Sequence, residues 1–199
     1  MADADPQRIV SFDSERLILV DASDQEIGHA SKAEAHQGKG ILHRAFSLFV
    51  FNPAGEFLLQ QRAPGKQLWP GYWANSCCSH PRRGEDMPTA TQRRLREELG
   101  FHCPLEFVYK FQYHAEFGTA GSETELCWVY LGTSAAPVHV NPNEIVAWRY
   151  VTPETLDREM ATSPAQFTPW LRMEWQRLRN EFGDRLPNRD RACGRLGAR

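Results

Sequence analysis

The sequence predicts an α+β fold, a mixed sheet with helices packed on it. Two apolar runs, Arg44 to Phe51 and Glu56 to Gln61, flank the turn signal Asn52-Pro-Ala-Gly55 and read as a buried hairpin. Met87, Thr91, Leu95 and Leu99 recur at every fourth position, which is one stripe of a helix over 87–99. Further strand-like and helix-like runs follow without strict βαβ alternation, so the fold is α+β or a mixed-sheet sandwich.

In chain order, residues 1–15 read as a flexible leader with no apolar pattern. Leu17-Ile-Leu-Val20 is a short strand entering a turn at Asp21, Ser23 and Asp24. Residues 29–36 read as a short helix, ended by Gly38-Lys-Gly40. The hairpin follows. Pro88 suits the first turn of the 87–99 helix, and Gly100 suits the position after its end. Strands are expected at 106–115, 124–131 and 145–151, with Gly118 to Ser122 as a loop. Pro153 to Met160 and Ala165 to Phe182 read as helices, the second with Phe167, Trp170, Leu171, Trp175 and Leu178 inward. The segment 183–199 is basic and poor in large apolar residues, so it reads as a disordered tail. Residues 16–182 are left as a single domain, which suits a chain of 199 residues.

Composition narrows the function. Hydrophobic residues make up 41% and the formal net charge is −2, an ordinary globular balance that argues against a dedicated nucleic-acid binder. No stretch is long and apolar enough for a transmembrane helix, so no membrane partner is expected. The start, Met-Ala-Asp-Ala-Asp-Pro, lacks the basic and apolar regions of a signal peptide. The expected compartment is the cytoplasm. Five cysteines, an odd number, fit reduced thiols better than a disulfide framework.

The stretch Trp69 to Pro81 holds two tryptophans, the adjacent Cys77 and Cys78, and His80. In an extended backbone Cys78 and His80 share a face. Read alone, the stretch fits a reactive site or plain core equally well. Glu123 and Glu125 also share a face of a strand, where their charges repel unless a cation or proton lies between them. With His36, His43 and His80 they would make an N/O site for a divalent first-row ion, although nothing in the spacing joins them. Glu97 and Glu98 lie late in a helix, against its dipole, and either serve Mg or pair with arginines such as Arg94. Lys32, Arg62 and Lys66 are cations that either hold a diphosphate or are simply solvated.

Glu85, Arg93, Leu95, Glu97, Glu98, Gly100 and Phe101 resemble a degenerate Nudix box, with Ser79 in place of its first Gly and Arg94 in place of the Glu after the Arg. The narrower motif Asn75-Ser-Cys-Cys-Ser-His-Pro81 resembles that of type I isopentenyl-diphosphate isomerases. So do Trp69-Pro-Gly71, the His36/His43 pair, Glu123-Thr-Glu125 and Phe167-Thr-Pro-Trp170, in the same order over about residues 16–180. The resemblance implies a Nudix-like sandwich, with a mixed sheet between helices, an added N-terminal strand and helix, and C-terminal helices. It implies a small-molecule prenyl diphosphate as substrate, isomerised by proton addition and removal, and a monomer or homodimer. It implies Cys78 as catalytic thiol, Glu125 as its partner across the substrate, Tyr113 as a helper to that acid and Trp170 as the aromatic face over the hydrocarbon. Lys32, Arg62 and Lys66 would contact phosphate. His36, His43, His80, Glu123 and Glu125 would hold one tight Mn or Zn. Glu98, with the Cys78 backbone carbonyl, would hold Mg, and no flavin is expected. The competing readings are a Nudix-type diphosphate hydrolase and a non-catalytic module with a structural metal. Cys77 receives no role.

Overall fold

The computed structural model describes residues 8–187. Its elements are β1 (Arg16–Val20), β2 (Glu26–Ser31), α1 (Lys32–His36), β3 (His43–Phe51), β4 (Phe57–Arg62), β5 (Trp73–Ala74), β6 (Cys77–Ser79), α2 (Met87–Leu99), β7 (Leu105–Glu116), β8 (Ser122–Thr133), β9 (Ile145–Val151), α3 (Pro153–Thr162) and α4 (Pro169–Glu181).

The spine is β3. Along its length it runs parallel to β8, from His43 beside Glu125 to Phe51 beside Thr133. On its other side it pairs antiparallel with β6. β7 extends the sheet beyond β8, and the β1–β2 hairpin joins at Leu19 beside His43. β4 pairs instead with β9 and β5. Alternate residues of β3 serve opposite cores. Phe46, Leu48 and Val50 pack with Met87, Leu95 and Leu99 of α2, whereas Ala45, Phe49 and Phe51 pack with Trp170, Leu171, Trp175 and Leu178 of α4. A strand covered on both faces is apolar at nearly every position, which is why this run shows no polar alternation. Each fully buried Phe or Leu here contributes about 1.5–3 kcal/mol.

Four sequence expectations change. The hairpin over 44–61 is one only at its tip: β3 and β4 pair at Phe51 and Phe57 alone, then diverge to different partners. The helix expected over 29–36 is strand through Ser31 and helical only from Lys32, because Ser31 and Glu34 form a capping box that starts the helix there. The helix expected over 165–182 is broken. Pro164–Gln166 is a 3₁₀ turn, Phe167 is extended beside Trp73, and α4 begins at Pro169. The residue before a proline is pushed out of the helical region, so Thr168 caps rather than continues. The fourth change is at the ends. Residues 8–15, expected as leader, are tied down: Val10 is buried, its carbonyl accepts from Arg94, and the Arg8 carbonyl accepts from Asn141. Of the expected tail, Gly183–Arg185 forms a 3₁₀ turn and Leu186 joins the core, while 188–199, like 1–7, lie outside the described residues.

The strand expected at 145–151 and the helix over 87–99 appear as read. The Met87, Thr91, Leu95, Leu99 stripe is buried, and Gly100 ends α2 in the left-handed conformation. No described helix is long and apolar enough to cross a membrane.

Candidate active site

A cavity of about 540 Å³ opens where α1, β4, β6, β8 and α4 converge. That volume suits a small ligand. One wall carries Cys78, His80, Tyr113, Glu123, Glu125 and Trp170, and another carries Lys32, Arg62, Lys66 and Arg94.

Sheet register builds the first wall. His43 stands beside Glu125 across the parallel pair β3–β8, and Tyr113 stands beside Glu125 across the antiparallel pair β7–β8. One row of the sheet thus supplies imidazole, carboxylate and phenol. Glu123 lies two residues along the same strand face. His36 comes from the last turn of α1 and His80 from the end of β6. The five donor atoms lie within 4.8 Å of one another, and all five residues are buried.

This cluster has the chemistry of a divalent-metal site. His36 and His43 each donate Nδ1–H to a backbone carbonyl, of Lys32 and Ile41, both at 2.7 Å. Those bonds turn both Nε2 atoms inward as lone-pair donors, the usual arrangement for a metal-binding imidazole. Neither Nε2 atom has an aligned hydrogen bond, but His36 Nε2 lies 2.7 Å from Glu123 Oε2, and although burial opposes a charged His36, Glu123 outweighs it and raises the imidazole, so a bound cation would take the place of that proton. Burial, and then the neighbouring His43 and His36, push His80 well below its ordinary range, so it is neutral and free to ligate. Burial opposes ionisation of Glu125, but bonds from His43 and Tyr113 outweigh it and hold the carboxyl below the usual range. Three imidazoles with two carboxylates make an N/O donor set that suits a divalent metal ion.

Cys78 faces this cluster from β6. Its thiol donates to Asn75 Oδ1 at 2.5 Å, and it accepts from Trp170 Nε1 at 3.1 Å and Ser47 Oγ at 3.8 Å. Burial, and then the charges of Glu174 and Glu125, push the thiol well up, so it is neutral. Cys77 points the other way into the α2 core, where its thiol lies 3.3 Å from Glu98. Tyr113 donates to Glu125 Oε2 at 2.7 Å. Trp170 is 3% exposed, and the Arg62 guanidinium sits 5.3 Å from its ring centroid.

The cationic wall is partly neutralised from within. Lys66 and Arg94 both pair with the buried Glu144, Arg94 at 3.4 Å. Arg62 donates to the carbonyls of Leu68 and Trp69, holding a turn in which Trp69 has φ of 47°. A large residue in that region carries strain of order 1–3 kcal/mol, which Arg62 and the packing of Trp69 on Trp170 offset. Lys32 donates to Ser11. Burial, and then Lys66 and Arg94, lower Lys32 to about 8. Glu98 is not on the cavity wall. It is 3% exposed and held by Arg94 Nη2 at 2.6 Å, so an Mg ion there would compete with Arg94.

Comparison with known proteins agrees with this geometry. The NUDIX domain family matches residues 41–171. Over 157 residues the chain is 46% identical to isopentenyl-diphosphate Delta-isomerase of Burkholderia multivorans, covering 79% of this chain and 89% of the relative. Over 174 residues it is 40% identical to isopentenyl-diphosphate Delta-isomerase 1 of Photorhabdus laumondii, covering 86% and 99%. The chain belongs to the isopentenyl-diphosphate Delta-isomerase family of Nudix proteins. A solved Deinococcus radiodurans structure is similar, with a TM-score of 0.62 at 27% identity over 75% of this chain and 90% of that one.

Several residues at this Nudix site escaped sequence reading. Arg94 read as the residue that interrupts the Nudix box and as a partner of Glu98, yet it also lines the cavity. Asn75 was visible in the motif, but its grip on Cys78 was not. Glu144 and residues 9–13 reach the site through loops that carry no motif. Gly121 is a further case. Its φ is 138°, and an added Cβ would collide with the His36 carbonyl. Gly121→Ala is expected to destabilise the fold by roughly 1–3 kcal/mol. A denaturant melt unchanged within error would refute that.

Proposed function

We infer that this chain interconverts isopentenyl diphosphate and dimethylallyl diphosphate by a 1,3-allylic proton shift. The supporting observation is one cavity that holds a neutral thiol, a carboxylate within a metal-type cluster, and a cationic wall. The diphosphate is held by Lys32, Arg62, Lys66 and Arg94, with charge-assisted bonds from the two guanidiniums. The hydrocarbon then lies between Cys78 and Glu125. Before reaction this pair carries one transferable proton, on the thiol. One of the two adds a proton to the terminal alkene carbon, and the other takes one from the allylic carbon. Tyr113 keeps Glu125 oriented and Asn75 keeps Cys78 oriented.

A positioned acid contributes about 10²–10⁴-fold, and a cation–π contact on the order of 0.5–2 kcal/mol. Enzymes typically exceed ~10⁶-fold, so most of the remainder comes from holding the alkene between acid and base in a dry site. Trp170 and Tyr113 line that site and exclude water, which would capture a carbocation. His36, His43, His80, Glu123 and Glu125 would hold the Mn or Zn; an Mg ion held by Glu98 and the Cys78 carbonyl would have to displace Arg94 from Glu98 first. When bound, such ions fix Glu125, tune its proton affinity and neutralise diphosphate charge.

The hydrolase reading needs open carboxylates on the Nudix helix. Here Glu85 pairs with Arg93, Glu97 with Arg93 and Arg94, and Glu98 with Arg94. The discriminating experiment is NMR of isopentenyl diphosphate with the protein and Mg in D₂O. Deuterium incorporation and the allylic isomer, without phosphate release, are expected. Phosphate release without the isomer would reject the isomerase in favour of the hydrolase.

Lys32 makes this reaction pH-dependent in binding. Its charged form attracts the diphosphate, and in the free protein that form is lost as pH rises through about 8. KM is therefore expected to rise on the alkaline side and to stay flat below it. Lys32→Met should abolish this limb, and its persistence there would assign it to another group.

A further inference from the structure

Glu174 projects from α4 with 0% exposure, and nothing in the mechanism above uses it. Its Oε2 is buried without a hydrogen-bond partner. Its Oε1 lies 3.4 Å from Cys127 Sγ. Cys127 Sγ lies 3.4 Å from Ser47 Oγ, and Ser47 Oγ lies 3.8 Å from Cys78 Sγ. Ser47 is also a hydrogen-bonding neighbour of the Glu174 carboxyl. A continuous polar cluster thus runs from the back of the catalytic thiol to a buried carboxyl, through a core that is otherwise apolar.

Resting on the isomerase reading, we propose that Glu174, in its carboxylic-acid form, is a positioning residue for Cys78 that acts through the Ser47 hydroxyl. The case is an accounting of hydrogens. Ser47 has one O–H and Cys127 one S–H. A Glu174 carboxylate, the strongest acceptor in the cluster, draws both toward itself. Ser47 then turns away from Cys78. A Glu174 acid is a weaker acceptor and brings a hydrogen of its own, so the Ser47 O–H is free to point at the Cys78 sulfur. That bond, with those from Asn75 and Trp170, fixes the sulfur toward the cavity.

The surroundings favour the acid. Glu174 is faced by Cys127 and the more distant Glu125 from β8, by Tyr109 from β7, by Cys78 from β6 and by Ser47 from β3. None of these is a cation. Burial raises Glu174 to about 8, so the acid predominates at neutral pH and is lost above it.

The test follows kcat and KM of the metal-loaded enzyme from neutral to alkaline pH. Wild-type kcat is expected to fall as pH rises through about 8. Glu174→Gln cannot ionise and keeps a donor, so its kcat should lose that limb while the Lys32 limb in KM remains. Glu174→Leu and Ser47→Ala should lower neutral-pH kcat about threefold to tenfold, the worth of a neutral hydrogen bond, with KM unchanged. Infrared spectra of the wild type should show a carboxylic-acid band that disappears on the same titration and is missing in Glu174→Gln. A kcat limb that persists in Glu174→Gln, full kcat in Ser47→Ala, or no acid band in the wild type would each overturn the proposal. Wild-type protein that fails to isomerise in D₂O would instead overturn the isomerase reading, and the infrared arm would still report on the Glu174 proton.

Discussion

Cys78→Ala is expected to abolish isomerisation while leaving diphosphate binding intact. The thiol carries the proton held beside Asn75 and Trp170, and the phenol proton of Tyr113 on the same wall is already engaged by Glu125. Its loss removes general acid–base chemistry, so kcat should fall by at least ~10²–10⁴-fold. Binding should hold because Lys32, Arg62, Lys66 and Arg94 come from α1, β4, the loop after it and α2, none of which packs through the Cys78 sulfur. Folding should also hold. Cys78 is half-buried on its face of β6, and removing one sulfur there costs far less than a large core truncation. Turnover and equilibrium binding of the diphosphate, measured on the same preparation, check this. Near wild-type turnover would remove Cys78 from the mechanism.

Glu125→Gln is expected to lose both activity and the tight metal. With three imidazoles ligating through their lone pairs, the charges of Glu123 and Glu125 would balance a divalent ion inside a buried cluster. An amide leaves that ion with one uncompensated positive charge, which is costly away from water. It also presents an N–H₂ or a weaker oxygen to His80 Nε2, now 2.9 Å from Oε1. Metal affinity should fall by at least the ~10–100-fold seen when even outlying partners of a metal ligand are removed. Isomerisation should be lost together with it. Metal content by elemental analysis, beside turnover, checks both. Full metal and full activity after this change would sink the dual role of Glu125.

The predictions differ in what they rest on. Cys78 was legible because it sits in a dense local motif, and Tyr113 and Trp170 were named only through resemblance to a family. The geometry now gives each a contact: Tyr113 on Glu125, Trp170 Nε1 on Cys78. Glu98 was named in the same way, and its contact is with Arg94 instead of the open cavity. An i,i+4 pair on one helix is a local feature, so the Arg94–Glu98 bridge was readable from spacing. That Glu98 also meets Cys77, and Arg94 also meets Val10 and Glu144, was not, because those partners come from other segments.

By itself the sequence determined what depends on near neighbours. The α2 stripe, its Gly100 end, the strand periodicities and the shared face of Glu123 and Glu125 all follow from spacings of two to four residues. Tertiary structure alone decided how those pieces meet. Cys77 and Cys78 are adjacent in sequence, yet β6 alternates them into opposite cores, one to α2 and one to the cavity. The hairpin tip at Asn52–Gly55 was legible, but the divergence of β3 from β4 was not, since β6 takes the edge of β3 beyond the tip while β9 and β5 pair with β4. The same parallel register sets His43 beside Glu125 across 82 residues of chain, and with it the metal cluster. A one-residue slip in that pairing would leave every local pattern intact and turn the site inside out, which is why no local pattern can encode it.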